Sequence, residues 1–204
     1  MSAQQKDKGG VIATVKDSVV SVLRGTGDVA GAAVDAVSNT VAKALKGTNL
    51  VGQEAIGLVR DTVKGAVQAA VDVGSDVGSA TKGAMIGVIR GSKDVSVEAI
   101  LAIREAAGAA VKGTADVGGD VGAAAKGAVE GAIVGARDIA ITAEDAAAAA
   151  AKGAIDAAGE VGGSAGGEVR DALKGTIGGV KVVVKEPFRG DDKGAEVTAE
   201  RNGS

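Results

Sequence analysis

The sequence predicts an all-α protein made of one long helix or a few long helices, and three observations lead to that class. Apolar residues recur every 22 positions, or twice 11, across residues 10–184. Eleven residues fill about three helical turns, whereas a strand would need alternation with period two. The only proline, Pro187, lies beyond the repeat, so no residue within the repeat forbids a helix.

Three columns of apolar residues keep the 22-residue period without a gap. The Leu23 column consists of Leu23, Leu45, Val67, Ile89, Val111, Ile133, Ile155 and Ile177. The Val29 column consists of Val29, Val51, Val73, Val95, Val117, Ile139, Val161 and Val183. The Ala33 column consists of Ala33, Ala55, Val77, Ala99, Val121, Ala143 and Ala165. Acidic and basic residues repeat in other phases, so we expect one polar face of solvated and intrahelically paired charges.

The repeat favours a mostly continuous helix with one or two breaks. Unbroken, residues 10–184 would span about 260 Å at ~1.5 Å per residue. The expected breaks are the glycine-rich patches Gly74–Gly78, Gly118–Gly122 and Gly162–Gly167, which recur every 44 residues. The alternative is a set of helices of about 20 residues folded back on one another, with segments such as 45–48 and 111–114 as helix ends. Lys-Gly pairs within the blocks, such as Lys64-Gly65, argue against that alternative.

The polar flanks lie outside the repeat. Residues 1–9 and 185–204 are therefore predicted to be disordered tails on either side of a helical region at 10–184.

The apolar face predicts assembly with other helices. The Leu23 and Val29 columns lie about 130° apart around an 11-residue-repeat helix, and small residues fill the arc between them. We expect these columns to be the shoulders of a packing face, with Ala33, Ala55, Ala99 and Ala143 as its close-contact seam. Residues 24–177 contain 27 glycines, and each costs a helix roughly 0.8–1 kcal/mol, so packing must compensate.

Packing by several copies gives an oligomeric coiled coil, barrel or bundle. One specific form is a ring of about seven parallel helices, which the angle between the columns predicts, or a tube if the contact does not close. The alternative is an antiparallel bundle within one chain, broken at the glycine patches, with a thin core dominated by Ala.

Composition argues against most chemistry. The chain has no Cys, His, Trp or Tyr, so zinc sites and thiol or Ser-His-Asp chemistry lack their groups. Residues 25–31 only approximate a nucleotide-binding glycine loop, and no strand precedes them. A net charge of −3 gives no footprint for nucleic acid. We therefore predict a protein that is not an enzyme and has no cofactor, metal or small-molecule substrate.

Location follows only by default. No signal-peptide pattern opens the chain, and no run of more than seven residues lacks charge, so a spanning helix is not expected. A cytoplasmic protein is the expectation, with peripheral membrane association as an option.

The blocks at 63–71 (VKGAVQAAV) and 125–133 (AKGAVEGAI) carry a resemblance to known 11-residue-repeat proteins. The chain resembles hendecad coiled coils in its ungapped period, and it is similar in composition to synuclein-like and perilipin-like lipid-surface proteins. The first resemblance implies a self-assembling structural protein whose partner is itself. The second implies a peripheral protein that becomes an amphipathic helix on a lipid surface. The mainly Ala, Gly and Val face buries little area per residue, which favours protein packing.

Overall fold

The chain folds back on itself at short intervals in a computed structural model, which describes residues 13–22, 28–48, 53–92, 98–184 and 197–201. The helices are α1 (13–22), α2 (Val29–Thr48), α3 (Gln53–Asp72), α4 (Val77–Ser92), α5 (Ala99–Asp116), α6 (Val121–Gly135), α7 (Ala143–Val161) and α8 (Ala165–Leu173). A 3₁₀ turn, Ala136–Asp138, extends α6. The strands are β1 (Gly175–Ile177), β2 (Val180–Val184) and β3 (Val197–Arg201).

The predicted all-α character is confirmed, but the expectation of a mostly continuous helix is wrong. Five successive helices begin 22 residues apart, at Val77, Ala99, Val121, Ala143 and Ala165. One period of the sequence is therefore one helix with its connection. The alternative of shorter helices folded back on one another describes the molecule, and no single long coiled-coil helix forms within the described residues.

The glycine-rich patches break the helix where the sequence predicted. At the end of α5, the N–H of Gly118 donates to Ala115 O (3.1 Å) and that of Gly119 to Thr114 O (2.9 Å). Gly118 has φ +69°, a conformation that glycine adopts without a steric penalty. Together these features form a Schellman motif, which ends a helix. Gly74, 44 residues earlier, has φ +66° and ends α3 in the same way.

An aspartate then starts the next helix. Asp120 Oδ1 accepts a hydrogen bond from the N–H of Ala123 (2.8 Å), and Asp28 Oδ1 accepts one from Gly31 (2.9 Å). Asp76 accepts from Ser79 in the same manner. These N-caps satisfy backbone donors that the first turn leaves free. A glycine stop followed by an acidic cap explains why the chain turns instead of continuing.

The helices form a two-layer array. α2, α4, α6 and α8 pack side by side in one layer, the even layer. α2 and α4 each contact the helix two places along the chain more extensively than their immediate successor, and α6 contacts both α7 and α8. α3, α5 and α7 form the odd layer in the same way, and α1 joins it through an ion pair from Lys16 to Asp72 of α3. Chain neighbours run antiparallel across the layers, whereas neighbours within a layer run parallel.

The core lies between and within the layers and consists mainly of Ala and Val. Met85, Ile89, Ile103 and Leu173 are its largest fully buried side chains. This is the thin core predicted for a bundle within one chain.

A small antiparallel sheet follows the helices, in the order β1-β2-β3. Gly178 and Gly179, with φ +56° and +85°, form the turn between β1 and β2. Val180 and Val182 are buried and the intervening Lys181 is exposed, which is strand alternation. Residues 175–184 are thus a hairpin of two strands, although the helical repeat was expected to include them. β-branched residues around a two-glycine turn are the sequence signal for this hairpin.

The predicted tails are only partly within the described residues. Residues 197–201 of the polar C-terminal segment form β3, which pairs with β2. Residues 1–9 and the rest of 185–204 lie outside the described part of the chain.

Candidate assembly surface

The Leu23 column lies inside the chain. Its members in the helices, Val67, Ile89, Val111, Ile133 and Ile155, are all buried, as is Ile177 in β1. Leu23 and the side chain of Leu45 lie outside the described residues. Folding therefore buries the described members of this predicted shoulder, and those members offer no surface to a second copy.

The Val29 column lies at the helix ends. Val29 begins α2, Val73 and Val117 follow α3 and α5, Ile139 follows the 3₁₀ turn, and Val161 ends α7. Val51, Val95 and the side chain of Val183 lie outside the described residues.

The Ala33 column divides between helix interiors and helix starts. Ala33 and Ala55 are fully buried, whereas Ala99 and Ala143 are the half-buried first residues of α5 and α7. Ala33 does lie at a close helix contact, because a Cβ on Gly83 of α4 would come 2.9 Å from the Ala33 Cβ. That contact joins two helices of the same chain.

Glycine stripes hold the even layer together. Gly83, Gly87 and Gly91 line the α4 face that meets α2, and Gly127, Gly131 and Gly135 line the α6 face that meets α4. A Cβ on Gly131 would lie 2.5 Å from Lys82 O and 2.7 Å from Met85 Cβ, well inside van der Waals contact. Spaced four residues apart and repeated after 44, these glycines let parallel backbones approach closely. This spacing is visible in the sequence, but the packing face was predicted from the columns of larger residues, and the glycine stripes were missed.

Ion pairs cross between helices of the same layer. In the odd layer, Arg60 pairs with Glu105 (2.6 Å) and Lys64 with Asp116 (2.5 Å). Farther along the layer, Arg104 pairs with Asp156 (2.6 Å) and Lys112 with Glu160 (2.5 Å). The sequence predicted ion pairs within single helices. These partners instead lie on neighbouring helices of the layer, about 50 residues apart in sequence. Only the stacking of parallel helices brings them together.

Among the described residues, the pKa values of two acidic side chains are lowered by their surroundings. Hydrogen bonding from Lys112, together with its charge, lowers the pKa of Glu160. The hydroxyl and the backbone N–H of Ser79 lower the pKa of Asp76. Both carboxylates stabilise structure, one between helices and one at a helix start.

A shallow groove of about 290 Å³ runs over the odd layer between α3, α5 and α7. Arg60, Arg104 and Lys112 line it, and each forms one of the ion pairs above with an acid of the same groove. The charges in this groove therefore neutralise one another.

The valine row, defined as Val73, Val117 and Val161, is the periodic apolar feature at the surface. Its members are 44 residues apart and follow or end α3, α5 and α7, so they lie along one edge of the array. Val73 and Val161 are 39% and 41% exposed, and Val117 is half-buried. The other large apolar side chains exposed among the described residues are Val22 and Ile100, which do not share this spacing.

The described residues contain no group of three or more acidic side chains placed to hold a metal ion. None of the described helices combines the length and apolar character needed to cross a bilayer.

Comparison with known proteins adds no relative to this picture. No protein-family model matches the chain, and no curated protein matches its sequence.

Proposed function

We propose that this chain is a non-catalytic structural protein whose two-layer array associates with further copies of itself into a homo-oligomer. The observation that supports this is the valine row. The described members of the Leu23 column are buried by folding, but Val73 and Val161 of the Val29 column stay exposed at regular positions along one edge. Repeats place these side chains with the same spacing on every copy, so a matching row on a second copy is complementary to it.

Energetics indicate a modest affinity. Complete burial of a valine contributes roughly 1.5–3 kcal/mol, so covering the part still exposed contributes about 1 kcal/mol per residue. Three residues then give about 3 kcal/mol, less than the ~4 kcal/mol or more that association costs. Other groups of the same edge must also meet the partner, and assembly should depend strongly on protein concentration.

The test compares two sets of substitutions. Val73→Ser, Val117→Ser and Val161→Ser together remove the row, while Val22→Ser with Ile100→Ser removes exposed apolar groups elsewhere. Light scattering and sedimentation over a wide concentration range should show assembly for the wild type and the control but not for the triple variant. A wild type that stays monomeric throughout, or a triple variant that assembles equally well, contradicts the proposal.

A peripheral lipid-surface protein is the second candidate, and the 22-residue spacing of the apolar residues supports it. Val67, Ile89, Val111, Ile133 and Ile155 are buried in the array, yet their 22-residue spacing would align them on one side of a straight helix. In this candidate the same residues leave the protein core and contact lipid on one side of a straight helix. Circular dichroism at low protein concentration distinguishes the candidates: helix that appears only with phosphatidylcholine vesicles favours lipid binding. Helix that is complete without vesicles and unchanged by them rules this candidate out.

A further inference from the structure

Among the described residues, α2 is the first helix of the even layer, and one of its two flanks has no neighbour from that layer. One flank packs against α4. Within the part of the chain that the structure describes, no helix of this layer covers the opposite flank. α1, which belongs to the other layer, lies beside this flank across a groove of about 550 Å³. Thr14 and Ser18 of α1 line one side of the groove, and Asp35, Asn39 and Lys43 of α2 line the other.

Contacts of α2 and α4 show which residues of the two helices are equivalent. The glycines of α6 pack against Gly78, Met85 and Ile89 of α4, among other residues. The glycines of α4 pack in the same way against Ala30, Val37 and Val41 of α2. Each of these α2 residues lies 48 positions before its counterpart in α4.

The same offset locates the α2 residues that correspond to the α4 glycine stripe. Gly83, Gly87 and Gly91 of α4 correspond to Asp35, Asn39 and Lys43 of α2. All three are exposed. Where α4 and α6 carry glycines, α2 thus carries two charged side chains and one amide.

We infer that Asp35, Asn39 and Lys43 form a polar cap that ends the even layer and prevents a helix of a second copy from stacking on α2. The glycine stripes show how little space such stacking leaves, since a Cβ on Gly87 would lie 2.8 Å from Val37 Cβ and one on Gly91 would lie 2.9 Å from Ser38 O. Longer side chains exclude a helix at that distance. Burying Asp35 and Lys43 without partners would also be costly.

The cap has a consequence for assembly. At the other end of the array, α8 and the sheet pack on α6 and α7. With both ends covered or capped, copies can meet along an edge of the array but not end to end. Repeat arrays need polar terminal units for this reason.

The test removes the cap without adding or removing net charge. Asp35→Gly, Asn39→Gly and Lys43→Gly together give α2 the same three-glycine stripe as α4 and α6, whereas alanine would keep the Cβ atoms that such close stacking excludes. We expect this variant to form a dimer through two α2 flanks, with twice the particle mass at concentrations where the wild type has not assembled. Glu54→Gly with Lys181→Gly, two exposed charges of opposite sign outside the cap, is the matched control and should keep the wild-type mass.

The cap does not depend on the valine row, and a combined variant separates the two. The cap substitutions are placed in the Val73→Ser, Val117→Ser, Val161→Ser background, which lacks the proposed lateral contact. Dimerisation there supports the cap whether or not the row mediates assembly. A helical cap variant, by circular dichroism, whose mass equals that of its parent at every concentration overturns the inference.

Discussion

The two layers of the array come from one repeat and both carry ion pairs between helices, yet only the even layer adds stripes of glycine at its interfaces. In the even layer, each of the α2–α4 and α4–α6 interfaces has a stripe of three glycines, and the backbones meet almost directly. Ion pairs join helices in both layers: the α3–α5 and α5–α7 interfaces carry two each, and Lys82–Glu130 and Arg90–Asp138 join α4 to α6 and its 3₁₀ turn. The odd layer has no matching glycine stripe among its described residues, where Gly153 is the one glycine whose added Cβ would clash as severely. Close packing is intolerant of added atoms, whereas exposed ion pairs contribute little, so the layers should respond differently to substitution.

The largest effect should come from filling a glycine stripe. Gly131→Ala places a Cβ 2.5 Å from Lys82 O and 2.7 Å from Met85 Cβ, and neither atom can rotate away. We expect the free energy of unfolding to fall by about 1–3 kcal/mol, measured by urea denaturation. Gly57→Ala in α3 is the matched control, because no atom lies within 4 Å of the added Cβ. It should stabilise by about 0.5–1 kcal/mol. Equal effects of the two substitutions would refute the contrast between the layers.

Sequence periodicity predicted the helices and the glycine turns, but not how far each helix runs. Gly65 and Gly127 both follow lysine within the repeat, and they argued for continuity because helix-ending and helix-packing glycines look alike in sequence. The difference is in three dimensions: Gly118 takes a positive φ, whereas Gly127 lies against the backbone of Gly78.

The candidate surface was predictable in part. A column at helix ends and a column in the core have the same 22-residue period, so periodicity alone could not tell Val73, which is exposed, from Val67, which is buried. Ion pairs such as Arg104 with Asp156 connect helices two apart in the chain. They depend on how the layers stack, which no local pattern encodes.

A medium effect is expected at the aspartate caps, which begin three helices of the even layer. Asp76→Ala should lower the free energy of unfolding of the array by about 1 kcal/mol, because the first turn of α4 loses its acceptor. Asp76→Asn keeps an acceptor and should stay within a few tenths of a kcal/mol of the wild type at neutral pH.

The pH dependence of the same site has a definite sign. The folded pKa of Asp76 is below its ordinary value of 3.8, so its stabilisation is present above that value and is lost as the pH falls through the folded pKa. Asp76→Asn should therefore lose less stability than the wild type between pH 4 and about pH 2. Parallel acid-unfolding curves for the two proteins would show that the carboxylate contributes no such stabilisation.

The smallest effect should come from the ion pairs of the odd layer. Arg104 and Asp156 lie 2.6 Å apart but remain about one-third exposed, so water and salt screen their attraction. A double-mutant cycle with Arg104→Gln and Asp156→Asn should give a coupling energy of about 0.5 kcal/mol that disappears in 1 M salt. The same salt should leave the destabilisation by Gly131→Ala unchanged, because steric overlap is not screened. A coupling of several kcal/mol would mean that charge holds the odd layer as firmly as backbone contact holds the even layer.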